Sequence, residues 1–482
     1  MPGGIDYLRF LPEIVLSIFG IVIMVLEAMM RATSKRTSLG ALALVGLAAA
    51  FLANIWAGDN PGSAFANMMV VDGYGTFFRG LVLVVGVLCV LSSFSYLERE
   101  NAQTGEYYAL ILFSIIGQCI LATATDLIMV FIGLEISSIA TYILAGFLRD
   151  DRRNNESALK YFLLGSFATA FLLYGVAWIY GITGSTNLDQ IRRALDAGVE
   201  PALLASLAAG LIFVGFAFKV SVAPFQMWAP DVYQGAAAPV SAFMSAGPKA
   251  AAFAIFFRVF MIAFHPLNAR WIWLVWGCAL ASMVIGNFAA LVQTNVKRLL
   301  GYSSIAHAGY VLVALTASSQ IGVSAAMFYL ASYALMNIGA FAVVSHIAAR
   351  HERYVKIEDL AGLARREPVT AALLAIFVFS LIGVPLTGGF FGKFYVFQAA
   401  LNSHLVWLTV LGLINSAIAA YYYLKIIVAV YMQEPGERTE RLAAPSMSLR
   451  VAIWASAIGI LILGIFPGTL LSITSSSAAM FR

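Results

Sequence analysis

The chain has 482 residues, of which 61% are Ala, Val, Ile, Leu, Met, Phe, Trp, Tyr or Cys and 11% are charged, against about 25% charged in a soluble domain; its mean hydropathy is +0.88. This is the composition of an integral membrane protein, and the longest strongly polar stretch, Arg350 to Pro368, is too short to fold alone, which excludes a nucleotide-binding or Fe–S domain. The net charge of +5 comes from basic residues scattered over short loops, a pattern that speaks for membrane orientation and against nucleic acid.

In chain order, apolar runs predict an all-α integral membrane fold of fourteen helices, at 10–30, 38–57, 75–97, 107–124, 126–148, 157–182, 201–235, 238–264, 270–293, 299–317, 321–349, 369–402, 404–432 and 448–475. The first run is not a secretory signal: it carries Glu13 and Glu27, and its positive charges Arg31, Lys35 and Arg36 follow it. Of the 29 Lys and Arg, seventeen fall in one set of alternate loops and five in the other, so both termini are expected outside the cytoplasm. Cys89, Cys119 and Cys278 lie in separate apolar runs without paired spacing, as packing residues rather than metal ligands or a disulfide framework.

The other seven cations, Arg79, Lys160, Lys219, Lys249, Arg258, Lys393 and Lys425, fall inside apolar runs, where a central Lys or Arg costs about 2.5–3.5 kcal/mol. Arg79, Arg258 and Lys425 lie near run ends, so their stems are expected to carry the charge to the interface. Lys160, the fourth residue of its run, has the same option. Lys249 and Glu135 are central, with Ser138 and Thr141 one and two turns beyond Glu135. A buried ion pair that only fixes packing is the alternative for these two.

Two runs are interrupted. The seventh reads FKVSVAPFQMWAP from Phe218 to Pro230 and the twelfth GVPLTGGFFGK from Gly383 to Lys393. Proline removes a backbone donor and clashes with the preceding turn, so both helices should break within the membrane, each beside its own lysine. Grouping helices 4–8 (107–264) and 9–13 (270–432) puts the broken helix fourth in both units, between a three-helix start (1–106) and a last helix (448–482). Five is odd, so the units run in opposite senses, the inverted repeat of many transporters whose ion sites lie at broken helices. In the second unit Ser303, Ser304 and His307 share a helix; His307 is expected to meet Ser303 one turn away, and a neutral imidazole can pass a proton between its nitrogens. If helix 12 resumes near Phe390, Lys393 lies in a first turn, where the positive helix end disfavours a cation, while Lys219 precedes its break at a negative end. Lys393 is then the readier proton donor.

The run NVKRLLGYSSIAHAGY from Asn295 to Tyr310, with the two breaks and the membrane Glu and Lys, resembles the antiporter-like subunits of NADH-quinone oxidoreductase (respiratory complex I) and the related multisubunit cation/proton antiporters, over nearly the whole chain. Fourteen helices and Lys393 in a GGFFGKFYVF context resemble the smaller member of that family rather than the largest, with its long lateral helix, or the middle one, with a glutamate at the second break. The resemblance implies a bacterial inner membrane and a proton-transfer chain of Glu135, its partner Lys160, Lys219, Lys249, His307 and Lys393. Protons would enter from the cytoplasm near Lys219, pass through Lys249 and His307, and leave past Lys393. It also implies no cofactor or metal in this chain, with NADH, FMN, Fe–S clusters and quinone in partner subunits. The partners implied are the neighbouring antiporter-like subunit, other membrane-arm subunits, the peripheral arm indirectly, and the lipid bilayer. A sodium/proton antiporter subunit and a non-conducting structural subunit are the alternatives.

Overall fold

The computed structural model describes residues 3–30, 36–198, 202–436, 442 and 444–481. Arg31, Lys35, Arg438, Arg441 and Arg482 of the orientation count lie outside the described residues, as does Pro201 at the start of the seventh run. Twelve helices among the described residues are long and apolar enough to cross a membrane. They are α1 (Leu11–Met29), α2 (Thr37–Gly58), α3 (Gly73–Glu100), α4 (Gly105–Thr123), α5 (Leu127–Ala145), α6 (Arg152–Thr183) and, after two shorter helices α7 (Ala202–Lys219) and α8 (Trp228–Gly235), α9 (Ala238–Arg258). There follow α10 (Asn268–Leu291), α11 (Val296–Thr316) and α12 (Gln320–Ile347), the two shorter helices α13 (Pro368–Ile382) and α14 (Gly388–Asn402), then α15 (Val406–Met432) and α16 (Met447–Ile465).

The helix starts follow local chemistry. Asp72, Asp126, Asp151, Asn295, Ser319 and Ser446 each accept a backbone N–H of the first turn of α3, α5, α6, α11, α12 and α16, satisfying donors that have no intrahelical partner. Interruptions fall at both expected places: α7 stops at Lys219 and α8 starts at Trp228, while α13 stops at Ile382 and α14 starts at Gly388. The last apolar run also divides, because Pro467 opens a separate helix, α17 (Pro467–Ser477). A small antiparallel hairpin, β1 (Gly62–Ala64) with β2 (Met69–Val71), lies between α2 and α3; three-residue strands leave no readable alternation in a sequence.

Burial sorts the helices. In the most apolar window of α9, α11 and α12, 94% of residues are buried, against 28% in α1 and 33% in α6. A helix buried all round has protein on every side, so polar groups on α9, α11 and α12 can be satisfied only by other groups of the protein or by internal water. The three cysteines are buried free thiols.

Two of the cations expected at the interface are instead in the core. Arg79 and its partner Glu13 are both fully buried, 2.6 Å apart. Arg258 forks onto Asp72 at 2.8 and 3.1 Å and reaches the Ala122 carbonyl at 3.2 Å. In each case a carboxylate from another element supplies the counter-charge, so the stem need not reach water. Lys425 stays half-buried and donates to the Leu291 carbonyl at the end of α10, 3.1 Å away. Lys297, expected in a loop, lies fully buried in the first turn of α11 and pairs with Glu352 at 2.5 Å.

Candidate functional site

Four of the six candidate side chains are deep in the protein: Lys219 is 4% exposed, Lys249 2%, His307 3% and Lys393 6%. The first helix break aims Lys219. It is the last residue of α7; the turn beyond it, with Ser221 at φ 60°, is held by Ala223 N–H on Ser282 Oγ at 2.8 Å and by Trp228 Nε1 on the Phe218 carbonyl at 3.0 Å. Lys219 Nζ donates to Ser138 Oγ of α5 at 2.8 Å and to Tyr161 OH of α6 at 3.3 Å, with the Tyr161 ring 5.6 Å away as a π-face.

On α9, Pro248 precedes Lys249 and cannot bond the Met244 carbonyl, which instead accepts from Tyr233 OH of α8 at 3.5 Å. Lys249 Nζ donates across to α11, to the Ser304 carbonyl at 3.2 Å and to Ser304 Oγ. The adjacent Ser303 Oγ bonds Tyr423 OH of α15. Tyr423 OH also lies 3.2 Å from His307 Nε2, and Tyr329 OH of α12 lies 2.6 Å from Nδ1. His307 therefore meets Ser303 through Tyr423 rather than directly, and both ring nitrogens face hydroxyls that donate or accept equally well. On α12, Tyr329, Tyr333 and Asn337 repeat every four residues and so share a face; Asn337 Nδ2 reaches Tyr333 OH at 3.1 Å and Ser245 Oγ of α9 at 2.6 Å. This polar face was missed, although its four-residue spacing inside an apolar run is visible in the sequence.

The second break places Lys393 in the second turn of α14, because the helix resumes at Gly388 rather than near Phe390. Lys393 Nζ reaches back to the Leu381 and Ile382 carbonyls at 3.0 and 2.8 Å and to Ser416 Oγ at 2.9 Å. It thus caps the negative end of α13, which favours a cation. The expected contrast with Lys219, Lys393 at a positive helix end, is corrected: both lysines sit at the carboxyl end of a first half-helix.

Glu135 and Lys160 are not brought together. Glu135 is half-buried on a face of α5 shared with exposed Ile132 and Ile139, and its Oε1 accepts from Thr169 Oγ1 at 2.9 Å. Lys160, on the next helix, pairs with Glu156 at 2.6 Å and with Asp231 of α8 at 2.8 Å. Asp231 was overlooked, though an aspartate inside an apolar run is the same signal that singled out Glu135.

Residues 124–419 match the family model described as NADH:quinone oxidoreductase/Mrp antiporter, TM. The fold and the row of membrane cations define an antiporter-like integral membrane subunit. NADH-quinone oxidoreductase subunit N 1 of Solibacter usitatus is 60% identical over 477 residues, covering 99% of this chain and 98% of that protein. A chain of respiratory complex I from Thermus thermophilus with bound aureothin is 35% identical, with a TM-score of 0.82 and coverage of 96% and 98%. A chain of the Mrp complex from Dietzia has the same fold at 21% identity, with a TM-score of 0.84 and coverage of 98% and 97%. The chain belongs to the family of NADH-quinone oxidoreductase subunit N.

Proposed function

We propose that the chain is the proton-translocating membrane-arm subunit of a bacterial NADH-quinone oxidoreductase, and that Glu135, Lys160, Lys219, Lys249, His307 and Lys393 carry or control the moving proton. Electron transfer belongs to partner subunits holding NADH, FMN, Fe–S clusters and quinone. The reading includes fourteen crossings, counting α7 with α8 and α13 with α14 as one each, two inverted five-helix units, and both termini outside the cytoplasm. On that orientation the cavity of about 1310 Å³ lined by Arg149, Arg153, Arg350 and Lys356 among others opens to the cytoplasm.

One observation supports this reading over a purely structural role. Among the described residues, the buried cations divide by the kind of partner they have. Arg79, Arg258 and Lys297 each hold a carboxylate. Lys219, Lys249 and Lys393 hold only hydroxyls and carbonyls. A buried charge kept for packing needs its counter-ion; a lysine that must give up its proton is better served by neutral partners, since desolvation already disfavours the charged form.

The test is proton uptake by the assembled complex in sealed vesicles oxidising NADH. Lys219→Ala and Glu135→Ala should each abolish uptake or coupled turnover, and normal pumping in both removes the proposal.

A further inference from the structure

The half-helix α8 is held from two sides. Toward α6, Asp231 Oδ2 accepts from Lys160 at 2.8 Å, Asn154 Nδ2 donates to the Gly235 carbonyl at 2.9 Å, and Trp228 stacks on Tyr161 with ring centroids 4.3 Å apart. Toward α11, Arg298 NH1 donates to Asp231 Oδ1 at 2.5 Å and to Gln234 Oε1 at 3.0 Å, while the neighbouring Lys297 donates to the Ala236 carbonyl just past the helix end. The approach to α6 needs a missing side chain, and the approach to α11 leaves little room for one. A Cβ on Gly235 would lie 1.9 Å from Ser157 Oγ and 2.6 Å from the Arg153 carbonyl, and one on Gly301 would lie 3.2 Å from Pro230 Cα.

These contacts join groups that have no direct contact of their own. Asp231 is shared by Lys160 of the first half and Arg298 of the second. The Trp228 stack backs the same Tyr161 whose hydroxyl holds Lys219. The dipeptide Lys297-Arg298 belongs to the NVKRLLGYSS run, yet neither residue has a place in the proton chain. We infer that α8 is the coupling element between the two halves, with Asp231 as the positioning residue: it draws Lys160, which Glu156 of its own helix also holds, onto α8 and, through Arg298, ties that arrangement to the helix bearing Ser304 and His307. Shifting α8 changes the surroundings of Lys160 and Lys219 at once and loads α11 in the same movement. This rests on the proton-transfer reading above and adds to it how the halves are kept in step.

The experiment uses the assembled complex in sealed vesicles and reads protons taken up per NADH oxidised, together with the amount of assembled subunit. Asp231→Asn and Arg298→Gln should each lower the proton ratio as far as Lys219→Ala does, with the subunit still assembled. The double variant should be no worse than the poorer single one, because the pair acts as a unit, and Asp231→Glu should recover part of the ratio. A tie that serves packing alone would reduce assembled subunit and leave the ratio unchanged, and that result overturns the inference. Should Asp231→Asn fail to assemble, Gly235→Ala decides, since it keeps every charge and its Cβ, 1.9 Å from Ser157 Oγ and 2.6 Å from the Arg153 carbonyl, must move α8 against α6: a lowered ratio in assembled complex supports the coupling, a wild-type ratio overturns it. Lys219→Ala run in parallel separates the two levels. If it lowers the ratio while Asp231→Asn does not, the coupling falls and the relay stands; if neither does, both fall.

Discussion

At the scale of single residues, the division of buried cations by partner type leads to opposite expectations for similar substitutions. Arg79 and Glu13 sit in a fully buried pair, and removing one member strands the other charge, at a cost of about 3–5 kcal/mol. Glu13→Gln or Arg79→Met should therefore show as loss of assembled subunit, and the double change Glu13→Leu with Arg79→Met as substantial recovery, measured by the yield and thermal stability of the complex. Lys249→Met is predicted to behave the other way. Among the described residues Lys249 hydrogen-bonds only to Ser304, so an apolar side chain of similar length costs less than about 1.5 kcal/mol. The complex should assemble in normal amount, and proton uptake should be lost. Equal loss of assembly in both cases would mean that partner type does not separate structural from mobile charge.

The helices and their two interruptions were legible because each depends on local signals: apolar length for the spans, proline and glycine for the breaks. Gly389 shows how narrow the second break is. Its N–H donates to Ser380 Oγ at 3.1 Å, and an added Cβ would stand 1.9 Å from the Ser380 carbonyl. Gly389→Ala should push α14 from its seat and pull Lys393 off the α13 carbonyls, an overpacking cost of about 1–3 kcal/mol visible as a lower melting temperature together with reduced proton uptake. What the sequence did not disclose is who meets whom. Position within a run tells how far Arg79 lies from water but not that Glu13, on another helix, is waiting for it, and Lys297, just before the run at 299–317, reads as a loop residue with nothing to point to Glu352, 55 positions away. The same limit applied to Lys160, whose contact with Asp231 spans 71 positions. Tertiary pairing of charges leaves no periodicity to read.

On the scale of the whole molecule, the loop after α12 ties α3, α9 and α11 together. Ala349, His351 and Glu352 all take left-handed backbone conformations, which non-glycine residues adopt at a cost of roughly 1–2 kcal/mol each. The return is that Glu352 accepts from the Ala238 N–H at the start of α9, from Tyr96 OH of α3, at 2.7 and 2.9 Å, and from Lys297 of α11. Lys297→Met should loosen this junction without touching the membrane lysines. The expected result is faster amide hydrogen exchange across residues 236–242 in the intact complex, and unchanged exchange there would show that the loop contributes nothing to the junction.

The hydroxyls and carbonyls around Lys219, Lys249 and Lys393 carry one more implication. A carboxylate beside each lysine would make that position a thermodynamic sink, a place where a hydrogen ion falls and stays. Neutral acceptors add no such trap, since hydroxyls and carbonyls hold the ammonium by hydrogen bonds alone. If these lysines relay protons as proposed, direction must be imposed from outside the chain, and a sufficient opposing gradient should drive the same path in reverse.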